Sequence, residues 1–290
     1  MVKIGLIGNV ASLQKYAGQL KKETGIEVVG KSSVGMMDNP GASLMSVPEF
    51  ARNALLEVSD ALIVDRSAMV SFDMLKDAVR KYRHVYITDV PELMPSQCID
   101  LQKLVNEAGT IVQIRNPLTD TPFANWTRSN IQEPMYISHL ESYSELPEKR
   151  RLFLRLLMFA YALFQTAPQK VRVTGVHHSD SGFVFVNVRL DYPSNSAVNF
   201  EILSPAGNES KTRVVLPGKL MEVAPSGLIT VNGNSFHPET PVRSELGQFL
   251  DNLKSGALIH GSGLSVLHPA LITYEEIGRK LSQYIPWYSH

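Results

Sequence analysis

Short apolar runs alternate with longer amphipathic segments over residues 1–115. The runs are rich in β-branched residues and predict strands at Val2–Ile7, Ile26–Val29, Ala61–Val64, Val85–Thr88 and Thr110–Ile114. The segments between them predict helices at about Val10–Glu23, Val47–Val58, Val70–Tyr82 and Pro95–Asn106. Strands that alternate with helices of this length are typical of βαβ units. We therefore expect a doubly wound parallel sheet of the Rossmann type, with right-handed crossovers.

The second half of the chain has a different pattern. One amphipathic helix, at about Glu148–Phe164, is followed by strand-like runs with no helices between them. The predicted strands are Lys170–His177, Phe183–Tyr192, Ala197–Leu203, Thr212–Leu216, Leu220–Val223 and Gly227–Val231. Turn-forming stretches such as "YPSNS", "SPAGNES" and "VNGN" separate several of them, which indicates a largely antiparallel or mixed open sheet. Two closing helices are predicted near Val242–Lys254 and Ser265–Gln283.

The change of pattern places a domain boundary near residues 117–125, where "NPLTDTPF" is rich in turn-forming residues. We expect a Rossmann-type, NAD(P)-binding-like domain over residues 1–118. Residues 119–290 are expected to form an α+β domain for substrate binding or oligomerisation. The whole chain is therefore predicted to be an α/β protein of two domains.

Composition narrows the classes of partner. The 28 basic and 28 acidic residues cancel, so no overall field favours nucleic acid or an anionic membrane, and we expect neither as a partner. Cys98 is the single cysteine, which favours a reducing compartment. The N-terminal apolar run is too short for a secretory signal, and no stretch is apolar over the ~18 residues of a membrane span. We therefore expect a cytoplasmic protein. We also expect no metal site, because His177 and His178 are neighbours on one predicted strand and point to its opposite faces.

Glycines between the first strand and the first helix indicate a dinucleotide fold. In "KIGLIGNVASLQKY", Gly5 and Gly8 precede the predicted helix, where such folds bind pyrophosphate on backbone N–H groups. Val10 and Leu13 stand where the next two glycines of the fingerprint would fall, and a side chain at Val10 would crowd a diphosphate. The turn is therefore a stronger indication of fold than of binding. Gly8, Asn9 and Val10 are the candidate cofactor contacts.

The end of the second strand, in "VVGKSSVG", lacks the acid that usually hydrogen-bonds the ribose of NAD. Lys31 and Ser32, followed by Ser33, would instead suit a 2′-phosphate. If a cofactor binds at all, we expect NADP in preference to NAD. The alternative is a solvated polar loop, and the residues alone favour neither.

Asp65 and Arg66 end the third predicted strand, at the carboxyl edge where open α/β sheets bind ligands. With Asp89 and Arg115 they would place two acids and two bases around this edge. One interpretation is a remodelled polar pocket for a sugar or a nucleotide. The other is a set of salt bridges that fills an empty cofactor site.

Four stretches of the chain, in this order, resemble one known family. "KIGLIG" is similar to its first strand, and "SDALIVDRSAMVSFDMLKDAVRKYRHVYITDVP" to its third strand, following helix and fourth strand. "VRSELGQFLDNLKSG" resembles a late helix, and "SGLSVLHPALITYEEIGRKL" resembles the closing helix. The family is that of glucose–fructose oxidoreductase and inositol dehydrogenase (Gfo/Idh/MocA). The resemblance implies an NAD(P)-dependent oxidoreductase that acts on a sugar, polyol or related small molecule.

The same resemblance shows which residues of the family are missing. The fourth strand of the family usually ends in Glu-Lys-Pro, with the lysine beside the nicotinamide and the substrate hydroxyl. Aligned without gaps from His84, the matching positions are Thr88, Asp89 and Val90, with Pro91 displaced by one. An ionised acid would repel the alkoxide that a lysine stabilises. A second motif, Asp-x-x-x-His on the first helix of the second domain, corresponds to about Leu152 and Leu156.

These losses predict a catalytically degenerate oxidoreductase, with a non-catalytic ligand sensor or scaffold on the same fold as the alternative. A small molecule is the expected ligand in either case. The open sheet of the second domain would leave a broad face without helices, and such a face usually needs a partner. We therefore expect a homodimer or higher homo-oligomer. The residues that could line one face or the other include Phe183, Phe185, Val198 and Phe200.

Overall fold

The structure is a computed structural model of the chain. It describes residues 1–35, 42–65, 70–119, 121, 123–124, 127, 134–145, 147–178, 183–224, 228–237, 244–256 and 263–284. The chain forms two compact units: residues 1–116 with 243–268, and residues 117–242 with 269–290. The predicted boundary divides the chain once, between residues 118 and 119. The observed units differ from it because residues 243–268 belong to the first unit.

The first unit contains a parallel sheet with the strand order β2-β1-β3-β4-β5. Its strands are β1 Val2–Asn9, β2 Ile26–Val34, β3 Ala61–Val64, β4 His84–Ile87 and β5 Val112–Ile114. The helices between them are α1 Val10–Leu20, α2 Ala42–Met45, α3 Arg52–Val58, α4 Phe72–Arg80 and α5 Pro95–Ala108. The order reverses on either side of β1, as in doubly wound folds.

The second unit contains a mixed sheet with the strand order β13-β12-β11-β10-β6-β9-β8-β7. Its strands are β6 Tyr136–Ser142, β7 Lys170–His178, β8 Phe183–Asp191, β9 Ala197–Ser204, β10 Glu209–Leu216, β11 Lys219–Val223, β12 Ile229–Val231 and β13 Asn234–Phe236. Strands β6 and β9 run parallel, and the other described pairs are antiparallel. The remaining helices are α6 Lys149–Phe164, α7 Glu245–Ser255 and α8 Gly263–Leu281.

Strands β1 and β3 of the first unit are apolar along most of their length because both of their faces are buried in the core. Ile4 and Ile63 are completely buried, as expected for parallel strands with helices on both faces. Asn9 begins α1 by accepting a hydrogen bond from a backbone N–H of the first turn. Helix α7 belongs to this core, since the ring centroids of Phe249 and Tyr86 lie 5.4 Å apart.

Helix α6 covers one face of the mixed sheet. A row of paired residues on that face, Val188, Phe200, His139 and Thr212, crosses four adjacent strands from β8 to β10. All four are buried. The row changes from apolar to polar where it reaches β6, so the core of the second unit gives way to a polar region at β6 and β10.

The structure confirms the predicted fold class, a Rossmann-type parallel sheet followed by a mixed sheet. Strands β6 and β13 were not predicted. Strand β2 continues past Val29 to Val34, so that Lys31 and Ser32 lie within a strand and not in a loop. Arg66 is outside the described residues.

Four residues were predicted to line one face or the other of the mixed sheet. The structure describes the side chains of three of them, and these three lie on two different faces. Val198 and Phe200 are buried on the face that α6 covers. Phe185 is half-buried and alternates with the buried positions of β8, so it lies on the opposite face. The side chain of Phe183 is outside the described part of the chain.

Candidate functional site

The turn between β1 and α1 is built as a helix cap. The side-chain Oδ1 of Asn9 accepts a hydrogen bond from the backbone N–H of Ala11 at 3.0 Å. Val10 is the first residue of α1 and is half-buried. One N–H at this helix N-terminus therefore already has an acceptor within the chain, at the place where phosphate contacts were predicted.

Asp65 fills the space beside Gly8. A Cβ at Gly8 would lie 2.3 Å from the Cβ of Asp65, so this approach requires a residue without a side chain. The N–H of Asp65 donates to the carbonyl of Ile7 at 2.8 Å, and its own carbonyl accepts from the hydroxyl of Thr88. Its Oδ2 is buried and has no hydrogen-bond partner among the described residues. A carboxylate thus lies directly beside the predicted pyrophosphate turn.

Tyr16 of α1 belongs to the same polar cluster. Burial raises the pKa of its hydroxyl above the usual value, and the Asp65 carboxylate acts in the same direction. A hydrogen bond with Thr88 and the charge of Arg115 lower the pKa in part. The structure therefore brings Asp65, Thr88 and Arg115 together around one tyrosine.

Lys31 is bound by the backbone of its own unit. Its Nζ donates to two carbonyl groups, one in α2 and one shortly after it, at 2.9 and 2.5 Å. The carboxylate of Glu49 accepts hydrogen bonds from the backbone N–H and the hydroxyl of Ser33, at 2.6 and 2.8 Å. An acid that sequence reasoning missed therefore lies at the end of β2, because its position depends on the chain folding back beside that strand.

The three positions matched to catalytic residues of the family lie after β4 and on α6. Asp89 follows β4, and its Oδ1 accepts a hydrogen bond from the backbone N–H of Val90 at 2.8 Å. Leu152 and Leu156 of α6 are 3% and 1% exposed. Asp89 therefore forms a hydrogen bond within its own loop, and Leu152 and Leu156 are part of an apolar core.

A pocket of about 510 Å³ lies in the second unit, between β6, β10 and α6. Its polar wall contains His139, Glu141, Tyr143, Arg155 and Thr212. Its apolar wall contains Leu118, Phe123, Phe159 and Val223. This volume is within the range of small-molecule sites in proteins.

A hydrogen-bonded chain forms the floor of the polar wall. The Nδ1 of His139 lies 2.8 Å from the hydroxyl of Thr212, and its Nε2 lies 3.0 Å from Oε1 of Glu141. Both ring nitrogens therefore have a partner, which fixes the orientation of the imidazole. His139 and Glu141 are 3% and 5% exposed, so the chain is shielded from water.

Glu141 is the centre of the polar wall. Its Oε2 accepts from Arg155 at 2.7 Å and also from the hydroxyl of Tyr143. Burial opposes ionisation of Glu141, but the hydrogen bond of His139 and the charge of Arg155 together lower its pKa to about 2. Burial and the hydrogen bond to Glu141 raise the pKa of Tyr143 far above its usual range. The acid is therefore ionised and the tyrosine is protonated at neutral pH.

Aromatic rings also line the pocket. The ring centroids of Phe123 and Phe159 lie 6.4 Å apart, and those of Phe159 and His139 also lie 6.4 Å apart. Such rings provide large apolar faces at fixed positions. The pocket can therefore offer aromatic surface for stacking as well as groups for hydrogen bonds.

Sequence reasoning did not find this pocket. The signal was present in "MYISHLESY", where Ile137, His139, Glu141 and Tyr143 alternate with period two. Because three of these four side chains are polar, the alternation does not resemble an amphipathic strand. A histidine and an acid two residues apart on one strand face would have been the usable indication.

Metal binding and membrane insertion are two further functions that the described residues could serve. No group of three or more His, Cys, Asp or Glu side chains is placed there to hold a metal ion. None of the helices in the described part of the chain has the length and apolar character to cross a membrane. Cys98 is buried, and burial raises the pKa of its thiol to about 12.

No protein-family model and no curated protein matches the sequence. Solved structures match over nearly the whole chain. UDP-N-acetylglucosamine 3-dehydrogenase GnnA from Acidithiobacillus ferrooxidans has a TM-score of 0.75 at 14% identity, over 95% of this chain and 96% of that one. Biliverdin reductase from Synechocystis sp. PCC 6803, in complex with biliverdin and NADP+, has a TM-score of 0.71 at 15% identity, over 96% and 98%.

A Gfo/Idh/MocA family oxidoreductase from Vibrio cholerae has a TM-score of 0.75 at 13% identity, over 97% of this chain and 100% of that one. At such identities the similarity is one of fold. It extends across both units and agrees with the order of motifs in the sequence. The chain therefore has the fold of the Gfo/Idh/MocA-type dehydrogenases and oxidoreductases, as the resemblance of its sequence predicts.

Proposed function

We propose that this protein is a catalytically degenerate relative of the NAD(P)-dependent sugar and polyol oxidoreductases. It binds a small molecule in the pocket of its second unit and does not transfer hydride. The observation that supports this proposal is Asp89, which the gapless match of the fourth strand assigns to the family lysine position and whose Oδ1 accepts the N–H of Val90. A carboxylate there cannot supply the cation that stabilises a developing alkoxide.

The second acid–base group of the family is absent as well. Leu152 and Leu156 occupy its two positions and are almost completely buried. Proton transfer requires a titratable side chain within hydrogen-bond reach of the reacting group, and leucine provides none. The losses at positions 89, 152 and 156 therefore remove the same chemistry, hydride transfer coupled to removal of a proton.

The residues at the β1–α1 turn do not fit a bound dinucleotide. The N–H of Ala11 is already used by Asn9, a valine replaces the second glycine, and the carboxylate of Asp65 lies beside Gly8. A diphosphate needs free N–H groups, close approach to the backbone and no adjacent negative charge. We propose that neither NAD nor NADP binds tightly.

The NADP preference expected from Lys31 is opposed by two contacts. To pair with a 2′-phosphate, its ammonium would have to leave two carbonyl groups at 2.9 and 2.5 Å. Glu49, on Ser33, places a negative charge at the same end of β2. Both contacts disfavour an additional phosphate at this position.

The pocket of the second unit supports the small-molecule part of the proposal. It combines a hydrogen-bonded polar network with aromatic side chains in a volume of about 510 Å³. Small-molecule sites are typically concave, mostly apolar and equipped with a few fixed polar groups.

An active NAD(P)-dependent oxidoreductase is the second candidate. The fold favours it, because similar structures include a biliverdin reductase and a 3-ketoreductase solved with NADP. Asp89 or Asp65 would then have to act as the base. Self-association and a cytoplasmic location remain predictions under either candidate.

Fluorescence titration of the purified protein with NADH and NADPH tests the cofactor part of the proposal. We expect no saturable binding of either nucleotide up to millimolar concentration. Asp65→Asn removes the charge beside the turn and keeps the shape, so it should raise the affinity for both nucleotides, whereas Asp73→Asn on the exposed side of α4 should not. Tight binding of NADH or NADPH by the unmodified protein would favour the second candidate.

A further inference from the structure

One pair of strands brings a hydroxyl, an imidazole and a carboxylate together in the second unit. His139 and Glu141 are two residues apart on β6, so their side chains lie on the same face of the sheet. Thr212 of the adjacent strand β10 is paired directly with His139. Side chains at directly paired positions of antiparallel strands have Cβ atoms about 4.5–5.5 Å apart. The register of these two strands therefore places all three side chains within reach of one another.

The distances between them are those of a nucleophile, a base and an acid that orients the base. The hydroxyl oxygen of Thr212 lies 2.8 Å from Nδ1 of His139, and Nε2 of the same ring lies 3.0 Å from Oε1 of Glu141. A catalytic hydroxyl group is activated by a base within about 2.6–3.2 Å, and a third group holds that base in position. Such triads occur on unrelated folds and are recognised by their geometry, not by their place in the sequence.

The ionised acid determines the direction of proton transfer. The pKa of Glu141 is lowered to about 2, so at neutral pH its carboxylate can only accept a hydrogen bond. In the neutral ring of His139, Nε2 must then carry the proton, which leaves the lone pair of Nδ1 to accept from the hydroxyl of Thr212. The imidazole is therefore oriented to take the proton of Thr212, and the carboxylate stabilises the imidazolium that forms.

The pocket gives a ligand access to this hydroxyl group. Thr212 is only 7% exposed, yet it borders the cavity of about 510 Å³. Phe159 lines the same cavity, and its ring centroid lies 6.4 Å from that of His139. An apolar surface beside the base suits the hydrocarbon part of an acyl group.

The pocket also contains donors for a developing negative charge. Ser210 is two residues from Thr212 on β10, so the two hydroxyl groups lie on the same face of the sheet. Ser210 and Arg155 both line the pocket. A hydroxyl group and a guanidinium are the kinds of donor that stabilise the oxyanion formed when a carbonyl group is attacked.

We propose that Thr212, His139 and Glu141 form an acyl-transfer site that hydrolyses carboxylic esters with an apolar acyl group. Oγ1 of Thr212 attacks the carbonyl carbon and its proton moves to Nδ1 of His139. The bond to the leaving alcohol then breaks, and the alcohol oxygen receives that proton. Water attacks the acyl carbon next, its proton returns through His139 to Oγ1 of Thr212, and the carboxylic acid leaves.

The net reaction joins one ester and one water and gives one acid and one alcohol, with no oxidation or reduction. This inference rests on the proposed function only in taking the pocket as the ligand site. It does not depend on whether a nucleotide binds or on the loss of hydride transfer.

An irreversible probe tests the nucleophile directly. An alkyl fluorophosphonate loses fluoride when a reactive hydroxyl group attacks its phosphorus, and it stays attached to that oxygen. We expect mass spectrometry of the treated protein to show a single adduct, which peptide mapping places on Thr212. The absence of an adduct, or an adduct confined to another residue, would overturn the proposal.

Variants at the hydroxyl group separate catalysis from structure. Thr212→Val removes the hydroxyl at nearly constant shape, so it should abolish labelling and slow the hydrolysis of p-nitrophenyl butyrate by about 10²-fold or more. Thr212→Ser restores the hydroxyl and should retain both. Thr174→Val, at an exposed position on the opposite face of the sheet, should change neither. A folded Thr212→Val that hydrolyses the ester at the unmodified rate would refute the assignment.

A variant that leaves all three side chains in place tests the pocket itself. Ala224 is half-buried and lines the pocket, so Ala224→Trp should block the entry of ester and probe and abolish both signals. Circular dichroism and thermal unfolding would first establish that it is folded. Undiminished hydrolysis by Ala224→Trp would place the reaction elsewhere and overturn the proposal, whereas tight binding of NADPH would refute the proposed function and leave these results unchanged.

Discussion

Glu141 is a buried acid that its neighbours keep ionised. His139, Tyr143 and Arg155 all contact its carboxylate, and these contacts outweigh the effect of burial on its pKa. A buried ion pair of this kind often contributes little net stability compared with apolar residues. Removing one partner alone is different, because it leaves the other charge buried without compensation. The network therefore makes stability dependent on the ionisation of one carboxyl group.

Glu141→Gln should destabilise the protein at neutral pH and have a smaller effect in acid. The folded pKa of about 2 is below the ordinary value of 4.5, so the ionised carboxylate contributes stability above about pH 4.5, and this is lost as pH falls towards 2. The shift corresponds to a contribution on the order of 3 kcal/mol at neutral pH. Urea unfolding of both proteins from neutral pH to acid measures it.

The exposed acid Glu57 provides a matched control. It pairs with Lys81 at the surface, and exposed pairs contribute little to stability because water and salt screen them. Glu57→Gln should therefore change stability little at any pH. A constant difference between Glu141→Gln and the unmodified protein across this pH range would show that the contribution of Glu141 does not come from its charge.

At the scale of elements, the β1–α1 turn depends on the absence of a side chain at residue 8. Gly8→Ala would bring a Cβ to 2.3 Å from the Cβ of Asp65, which forces the strand end to move and should cost about 1–3 kcal/mol. Gly18, inside α1, has nothing within 4 Å of an added Cβ, so Gly18→Ala should stabilise the protein by about 0.5–1 kcal/mol. Thermal unfolding measures both, and equal effects of the two substitutions would refute this account of the turn.

The elements that could be predicted from the sequence are those whose pattern follows from burial. Strand β3 is completely buried and was predicted with its observed ends, Ala61–Val64. Strand β6 was missed because its core-facing positions include His139 and Glu141, which burial alone would disfavour. They are tolerated because Thr212 and Arg155, remote in sequence, satisfy them. The polar wall of the pocket is therefore a tertiary property that local patterns do not contain.

At the scale of the whole molecule, the order of motifs was more informative than any single motif. The resemblance predicted the fold that the solved structures share, although the glycine turn is incomplete and the lysine is absent. The position of Glu49 beside Ser33 could not be predicted, because the segment that carries it pairs with β2 only in the folded chain. Fold follows from many weak indications, whereas a site depends on a few exact contacts.

Self-association through the exposed face of the mixed sheet is a prediction at this scale. Val215 and Leu220 are paired across β10 and β11 and are 41% and 44% exposed, while the neighbouring Arg213 and Glu222 form an ion pair. We expect a dimer by light scattering at micromolar concentration, and Leu220→Asp should weaken it. A monomer at that concentration would refute the prediction.

The central claim, that this fold has lost its dehydrogenase chemistry, is tested most directly by turnover. The assay combines the unmodified protein with NAD+ or NADP+ across a panel of sugars and polyols and follows formation of the reduced nucleotide. Loss of one alkoxide-stabilising contact typically costs about 10²–10³ in rate, and the acid–base positions hold Leu152 and Leu156 as well. We predict no turnover above the blank, and none for Asp89→Lys, because the leucines and the altered turn remain. Robust turnover by the unmodified protein that Asp89→Asn abolishes would contradict the account.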